Sequence, residues 1–208
     1  NDVTHSKAKM EAASSINDHS EAANRTFPGN YVLSELGDNR MYNHFVNGES
    51  RGYGYAQNNY QAFRTSSDPD GWYDRFNSRV GYVIVTEVDE EVSSERTQAR
   101  LLEQYGAGGS ETDGLAHYQA VFVSDTVAAF AVVPGATLEI PGKSRSNVTA
   151  STAVSMPGGS FTYERSVTVG DDGQAAVTVP YAGEYRIDNR TATVTEDDVL
   201  NGSTVALE

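Results

Sequence analysis

The sequence contains no cysteine, which excludes disulfides and thiolate metal sites and leaves the redox compartment unread. Lysine is almost as scarce: Lys7, Lys9 and Lys143 stand among 15 basic residues, the rest being arginine. Against 29 acidic residues this gives a formal net charge of -14 and a pI near 4.6. Such a chain lacks the Lys and Arg surplus on which binding to nucleic acid and anionic membrane surfaces depends, so no nucleic-acid partner is expected. No run reaches the ~18 apolar residues of a membrane span, and no basic-then-apolar leader opens the chain. An acidic, lysine-poor, cysteine-free surface is typical of proteins from salt-loving archaea, where carboxylates keep the chain hydrated. The chain opens at Asn1 without a methionine, and a processed product or an excised portion of something longer is expected.

What is present is a globular composition: 208 residues, 38% hydrophobic and 10% aromatic, enough for one large domain or two small ones. From Val3 to Asn24, Met10, Ala13, Ile16 and Ala23 recur at helical spacing, which predicts an amphipathic helix. Its histidines, His5 and His19, would lie about 21 Å apart along the axis, too far to share a metal, and both are expected at the surface.

The stretch Tyr31 to Tyr60 organises the first half. Tyr31-Val32-Leu33 reads as a short strand that delivers a polar loop, Glu35 to Asn43, followed by a glycine- and tyrosine-rich run. Loops at strand ends can face a ligand instead of the core. Tyr53, Tyr55 and Tyr60 offer rigid aromatic surface for a binding wall, with Asn58 and Asn59 as hydrogen-bonding partners, or pack on the core with their hydroxyls in water. Gly48-Glu49-Ser50-Arg51-Gly52 matches the GxSxG nucleophile elbow, yet Tyr53-Gly-Tyr-Ala is poor helix material, so the strand-then-helix context is expected to fail. His117 and Asp125 also follow Ser50 in the wrong order for a hydrolase triad. Glu35 and Asp38 share the polar loop, but carboxylates are abundant here for solubility alone, so a glycosidase pair rests on little.

Asp68 is placed to cap a short helix bearing Trp72, Tyr73 and Phe76. The fragment Asp68-x-Asp70-Gly71 opens like a calcium loop but lacks its glutamate, so no calcium site is expected. Val80 to Val85 is short and nearly continuous in apolar residues, as a central strand is. A helix follows over Ser93–Tyr105, then strands Tyr118–Val123 and Val127–Val133 joined at Ser124-Asp125-Thr126. His117, at a strand entrance, is expected to make a structural hydrogen bond. Beyond Lys143 the pattern alternates: Phe161, Tyr163, Val167 and Val169 share one face, and Ala175, Val177 and Val179 continue it after the Gly170-Asp-Asp-Gly173 turn.

These features predict an α+β fold, with a mixed α/β domain over residues 1–134 followed by a small immunoglobulin-like β-sandwich over 135–208. Asn24, Asn147, Asn189 and Asn201 each head an Asn-x-Ser/Thr triplet and are glycosylation candidates, which leans towards an exterior location.

The order of a connecting helix, YVLSELGDNRMYN, RVGYVIV with its helix, GLAHYQAVFVSD and VVPGATLEIPG ahead of a β-domain resembles the extracytoplasmic C-terminal region of archaeal oligosaccharyltransferase catalytic subunits. The resemblance spans most of Tyr31 to Glu208. It implies the soluble exterior part of a membrane-anchored glycosyltransferase acting in protein N-glycosylation, at the extracellular face of the membrane. A divalent metal and lipid-linked glycan would belong to the membrane domain of the parent chain, so this chain would hold no cofactor and be inactive alone. Where the family has a Trp-Trp-Asp-Tyr-Gly motif that binds the acceptor's Ser or Thr, this chain has Ser34-Glu35-Leu36-Gly37-Asp38. The family's second acceptor motif, with a helical lysine or methionine, has no match around Ser93–Tyr105, where the basic residues are Arg96 and Arg100. The implied acceptor or partner surface comprises Glu35, Asp38, Asn39, Arg40, Tyr42 and Asn43, flanked by Tyr53 and Tyr55. The alternative reading is a non-enzymatic, glycosylated module of a cell envelope or filament, binding an envelope partner.

Overall fold

The computed structural model describes residues 2–208, with side chains from residue 7 onward. The expectation for His5 lies outside the described side chains. The chain is α+β, as the sequence pattern predicts, and packs as two units through which it threads repeatedly. The first takes residues 1–105, 120–132 and 156–159, and the second takes 106–119, 133–155 and 160–208.

In the first unit, α1 (Asp2–Ala22) lies against α2 (Leu36–Asn47) and against strand β4 (Val127–Val132). Its inward stripe is Ala8, Ala12, Ala13, Ile16 and Ser20, all buried. Met10, assigned inward by the sequence pattern, is 49% exposed. Small residues on the true face let the helix approach the sheet closely, so alanine rather than methionine marks the contact. His19 is not a plain surface residue either: its Nδ1 lies 2.7 Å from the Tyr82 hydroxyl, and the two rings meet edge to face.

The sheet of this unit runs β1-β2-β4-β3. β1 is only Val32–Leu33, parallel to β2 (Tyr82–Thr86), which pairs antiparallel with β4. β2 is buried along its whole length, the central strand its composition implies. β3 (Tyr118–Val123) and β4 form the expected hairpin, whose turn is tied by the Ser124 hydroxyl accepting from Val127 N–H. Helix α5 (Thr97–Leu102) is shorter than the Ser93–Tyr105 span predicted. Asp68 does cap the next short helix, α4 (Gly71–Phe76), accepting from Gly71 N–H at 3.0 Å, and Trp72 and Phe76 pack on Phe63.

The second unit holds two sheets. One runs β10-β9-β6-β7 and the other β11-β5-β8, where β5 is Ala136–Pro141, β6 Asn147–Met156, β7 Gly159–Thr168, β8 Gln174–Val179, β9 Gly183–Ile187, β10 Arg190–Val194 and β11 Thr204–Ala206. Alternation decides which side chains go inward: Val148, Ala150 and Val154 are buried from β6, and Ala175, Val177 and Val179 from β8. Buried Tyr163 donates to Leu115 O at 2.7 Å, and buried Tyr185 donates to Tyr181 O at 2.8 Å, so the large rings carry no orphaned hydroxyl into this core. His117 makes the expected structural bond, its Nδ1 lying 3.0 Å from Val133 O. The edge of β7 is blunted by the preceding loop, since Gly114 N–H donates to Glu164 O and Asp113 accepts from Ser166 N–H.

Gly81 enters β2 so close to Gly29 O that an added Cβ would overlap that carbonyl and the backbone behind it. Both neighbours are backbone, so no side chain can rotate away. Gly81→Ala is expected to abolish cooperative thermal unfolding of the first unit, whereas Gly54→Ala, with open space around its Cβ, keeps it.

Candidate functional site

The polar segment after β1 is a helix, not the loop expected from its sequence. Glu35 precedes α2 in extended conformation (φ -57°, ψ 153°), and the helix ends at Gly48 in the left-handed region, with φ 71°. The glycine-tyrosine run is likewise a helix, α3 (Tyr53–Thr65). Ser50 therefore sits between two helices, and the elbow context fails because a helix, not a strand, leads into it.

Helix formation divides the candidate residues by face. Asn39 and Asn43 are each 1% exposed and Tyr42 is fully buried. Asn43 accepts from Val32 N–H at 2.9 Å and donates to Val32 O at 2.9 Å, while Asn39 donates to Val32 O at 3.0 Å. Asn47, one further turn along, donates to Asn43 Oδ1 at 3.0 Å. These amides are committed to holding β1. Arg40 is on the opposite, exposed face and stacks over the Tyr53 ring at 4.3 Å from its centroid. Tyr55 stands edge to face with Tyr31, whose hydroxyl donates to Gly52 O at 2.7 Å. Burial pushes the Tyr31 hydroxyl up to about 12. Tyr60, read with the tyrosine wall, is buried instead.

The residues that remain available cluster at the first turn of α2. Lys9 from α1 reaches across to Asp38 Oδ2 at 2.5 Å and Glu35 Oε1 at 3.7 Å. A single ammonium thus offsets two carboxylates. Beside them opens a pocket of about 270 Å³ lined by Glu35, Leu36, Gln57, Tyr60, Arg64 and Thr86, among others. Its mouth is mixed: Leu36 is 39% exposed, and Arg64 bonds Glu90 at 3.0 Å. In its wall Thr86 is 4% exposed, and its hydroxyl, like that of Tyr42, has no hydrogen-bond partner among the described residues. An unsatisfied buried hydroxyl is costly. Lys9, Arg64 and Thr86 went unread as site residues because they come from three other elements; only the rarity of lysine singled out Lys9.

The Glu35–Asp38 pair does not fit a metal ion, because the Lys9 ammonium already occupies the position of the cation. No group of three or more His, Asp or Glu side chains able to hold one occurs among the described residues. Among those residues, no helix is long and apolar enough to cross a membrane.

Residues 135–205 match the family model of the archaeal glycosylation protein B long peripheral domain. The fold of the chain is that of solved Archaeoglobus fulgidus oligosaccharyltransferase structures. One, AglB in complex with an inhibitory peptide and a dolichol-phosphate, has TM-score 0.60 at 13% identity over 85% of this chain and 37% of that one. Another, tethered with an acceptor peptide containing the NVT sequon via a disulfide bond, has TM-score 0.60 at 12% identity over 85% of this chain and 38% of that one. A third, a complex with Zn and sulfate, has TM-score 0.56 at 12% identity over 85% of this chain and 40% of that one. The chain resembles the C-terminal soluble region of an AglB-like protein. The resemblance drawn from its sequence is thereby borne out. The chain spans about two fifths of the length of those solved oligosaccharyltransferases. Among curated proteins, none matches the sequence.

The Glu35 carboxyl is held above the ordinary carboxylate range. Burial is the leading cause, followed by a hydrogen bond with Asp38 and repulsion from it, and Lys9 opposes them. A carboxyl whose native pKa exceeds its unfolded value binds its proton more tightly when folded, so its presence lowers stability as pH rises through the ordinary carboxylate range towards the native pKa. Glu35→Gln is expected to match or exceed the parent in urea resistance at neutral pH, with the advantage shrinking at roughly pH 3, where glutamate is protonated in both states. Paired urea midpoints at the two pH values check it.

Proposed function

We propose that the chain is the soluble exterior part of a membrane-anchored oligosaccharyltransferase, and that the first turn of α2 with its adjoining pocket holds the polypeptide acceptor. The observation that carries this reading is the pocket itself. It opens beside Glu35 and Leu36, in the segment that the sequence resemblance sets against the family's acceptor motif. Family likeness over residues 135–205 and fold likeness to the solved oligosaccharyltransferases support the first part of this reading, the exterior region of such a protein.

The residues suit a polar segment. Glu35 can accept a hydrogen bond at the pocket's edge, Gln57 can donate or accept, and Leu36 with the Tyr60 ring gives apolar contact. Arg40, stacked on Tyr53, can hold a carbonyl or carboxylate further along the acceptor. Asn39 and Asn43, implied as contacts by the family resemblance, act here one step removed by fixing the strand from which Glu35 departs. The lipid-linked donor and the divalent metal belong to the membrane part of the parent protein, on the extracellular side.

A photo-crosslinking amino acid placed at Leu36 of the full parent protein is expected to capture a peptide containing Asn-Val-Thr. The same group placed at exposed Glu21, on the far end of α1, is not. Equal capture at both positions, or none at position 36 while the parent glycosylates the peptide, would overturn the assignment.

A further inference from the structure

The four Asn-x-Ser/Thr triplets look equivalent in sequence, and the fold makes them unequal. Transfer of a glycan to nitrogen requires that the asparagine amide be reachable and that the triplet leave its local hydrogen bonds to extend across another protein's active site. In Asn24-Arg25-Thr26, the middle residue is an anchor. Arg25 donates to Gly81 O at 2.8 Å and Val132 O at 2.9 Å, and its guanidinium lies over Tyr82. In Asn147-Val148-Thr149, an inner strand presents both side chains already bonded, Asn147 to Thr168 at 2.8 Å and Thr149 to Ser166 at 2.8 Å. In Asn201-Gly202-Ser203, the Ser203 amide donates to Asp198 O and its carbonyl accepts from Thr137 N–H, both at 2.9 Å.

Asn189-Arg190-Thr191 is different. Ile187 and Arg190 are the closing pair of the β9–β10 hairpin, so Asp188 and Asn189 form its two-residue tip. Both are exposed, and Asp188 holds φ 55°, the left-handed conformation that Asp adopts in tight turns. The Asn189 side chain, like those of exposed Asn24 and Asn201, has no hydrogen-bond partner among the described residues, so the difference lies in the hairpin tip and not in the amide itself. β10 is also an edge strand of its sheet, so opening the tip breaks the ladder to β9 and, on the outer side, one further bond, from Glu208 N–H to Thr191 O at 2.9 Å. The Arg190 bond to Pro141 O is the side-chain tie that must yield.

We infer that Asn189 is the N-glycan acceptor site of the folded chain, with a lipid-phosphate-linked oligosaccharide as donor. In the transfer Asn189 Nδ2 forms a bond to the anomeric carbon of the donor sugar. The bond from that carbon to the lipid-phosphate oxygen breaks, the oxygen keeps the electron pair, and the amide nitrogen gives up one proton to a base of the transferring enzyme.

The test incubates the folded full chain with an archaeal oligosaccharyltransferase and its lipid-linked oligosaccharide, then maps the modified asparagines by mass spectrometry. Synthetic peptides of the four triplets serve as the unfolded reference. Relative to its own peptide, Asn189 in the folded chain is expected to be modified at least roughly tenfold more than each of the other three, whose opening needs wider local unfolding. Asn189→Gln then removes nearly all modification of the folded chain, while Asn147→Gln leaves it unchanged. Modification of the Asn189 peptide but not of Asn189 in the folded chain would overturn the inference. So would folded chains modified equally at Asn147 or Asn24, or an Asn189 peptide that is not an acceptor while the others are.

Discussion

The first unit depends on how a two-residue strand is held at the edge of its sheet. β1 gives one edge to β2 and has no strand on the other. Val32 N–H and C=O point to that open side, and an unpaired buried peptide group would cost about 1–3 kcal/mol. The side-chain amide of Asn43 answers both groups, and Asn39 shares the carbonyl. The four-residue spacing of Asn39, Asn43 and Asn47 puts all three amides on one face of α2. The helix thus does the work of a missing strand, and its first turn, with Glu35 and Asp38, is fixed relative to the sheet.

That constraint explains why the site is small and specific in position. With the inner face of α2 committed to β1, only its first turn and outer face can meet a ligand. Lys9 draws the two carboxylates towards α1, which leaves the other side of Glu35 open to the pocket. The strong acidity of the chain as a whole is separate from this arrangement: most carboxylates are dispersed over the surface, where they act on hydration and self-repulsion.

Where burial and turn chemistry dominate, the sequence was legible. β2 read as central from its unbroken apolar run, the β3–β4 hairpin from its Ser-Asp-Thr turn, and the second unit from strict alternation around Tyr163, Val177 and Tyr185. The site was harder. Gly37, Asn39 and Asn43 are weak helix formers, so local propensity predicted a loop, and tertiary hydrogen bonds to Val32 overrode it. The same happened to Tyr53-Gly54-Tyr55, where α3 starts despite its composition. On α1 the pattern found Ala13 and Ile16, which are buried, but took Met10 inward and passed over Ala8 and Ala12, residues too small to stand out in a hydrophobic pattern. Lys9, Tyr60 and Thr86 meet Glu35 only through tertiary packing, for which no spacing rule exists.

The most direct test of this account is native-state hydrogen exchange at the Val32 amide. Its acceptor is a side-chain amide on another element, so its protection reports whether Asn43 holds β1 as a strand would. Protection close to that of Val83 and Ile84 in central β2 is the expected result. Exchange at the rate of an exposed loop amide, with β2 still protected, would show that β1 is not clamped and that the position of α2 is set by something else.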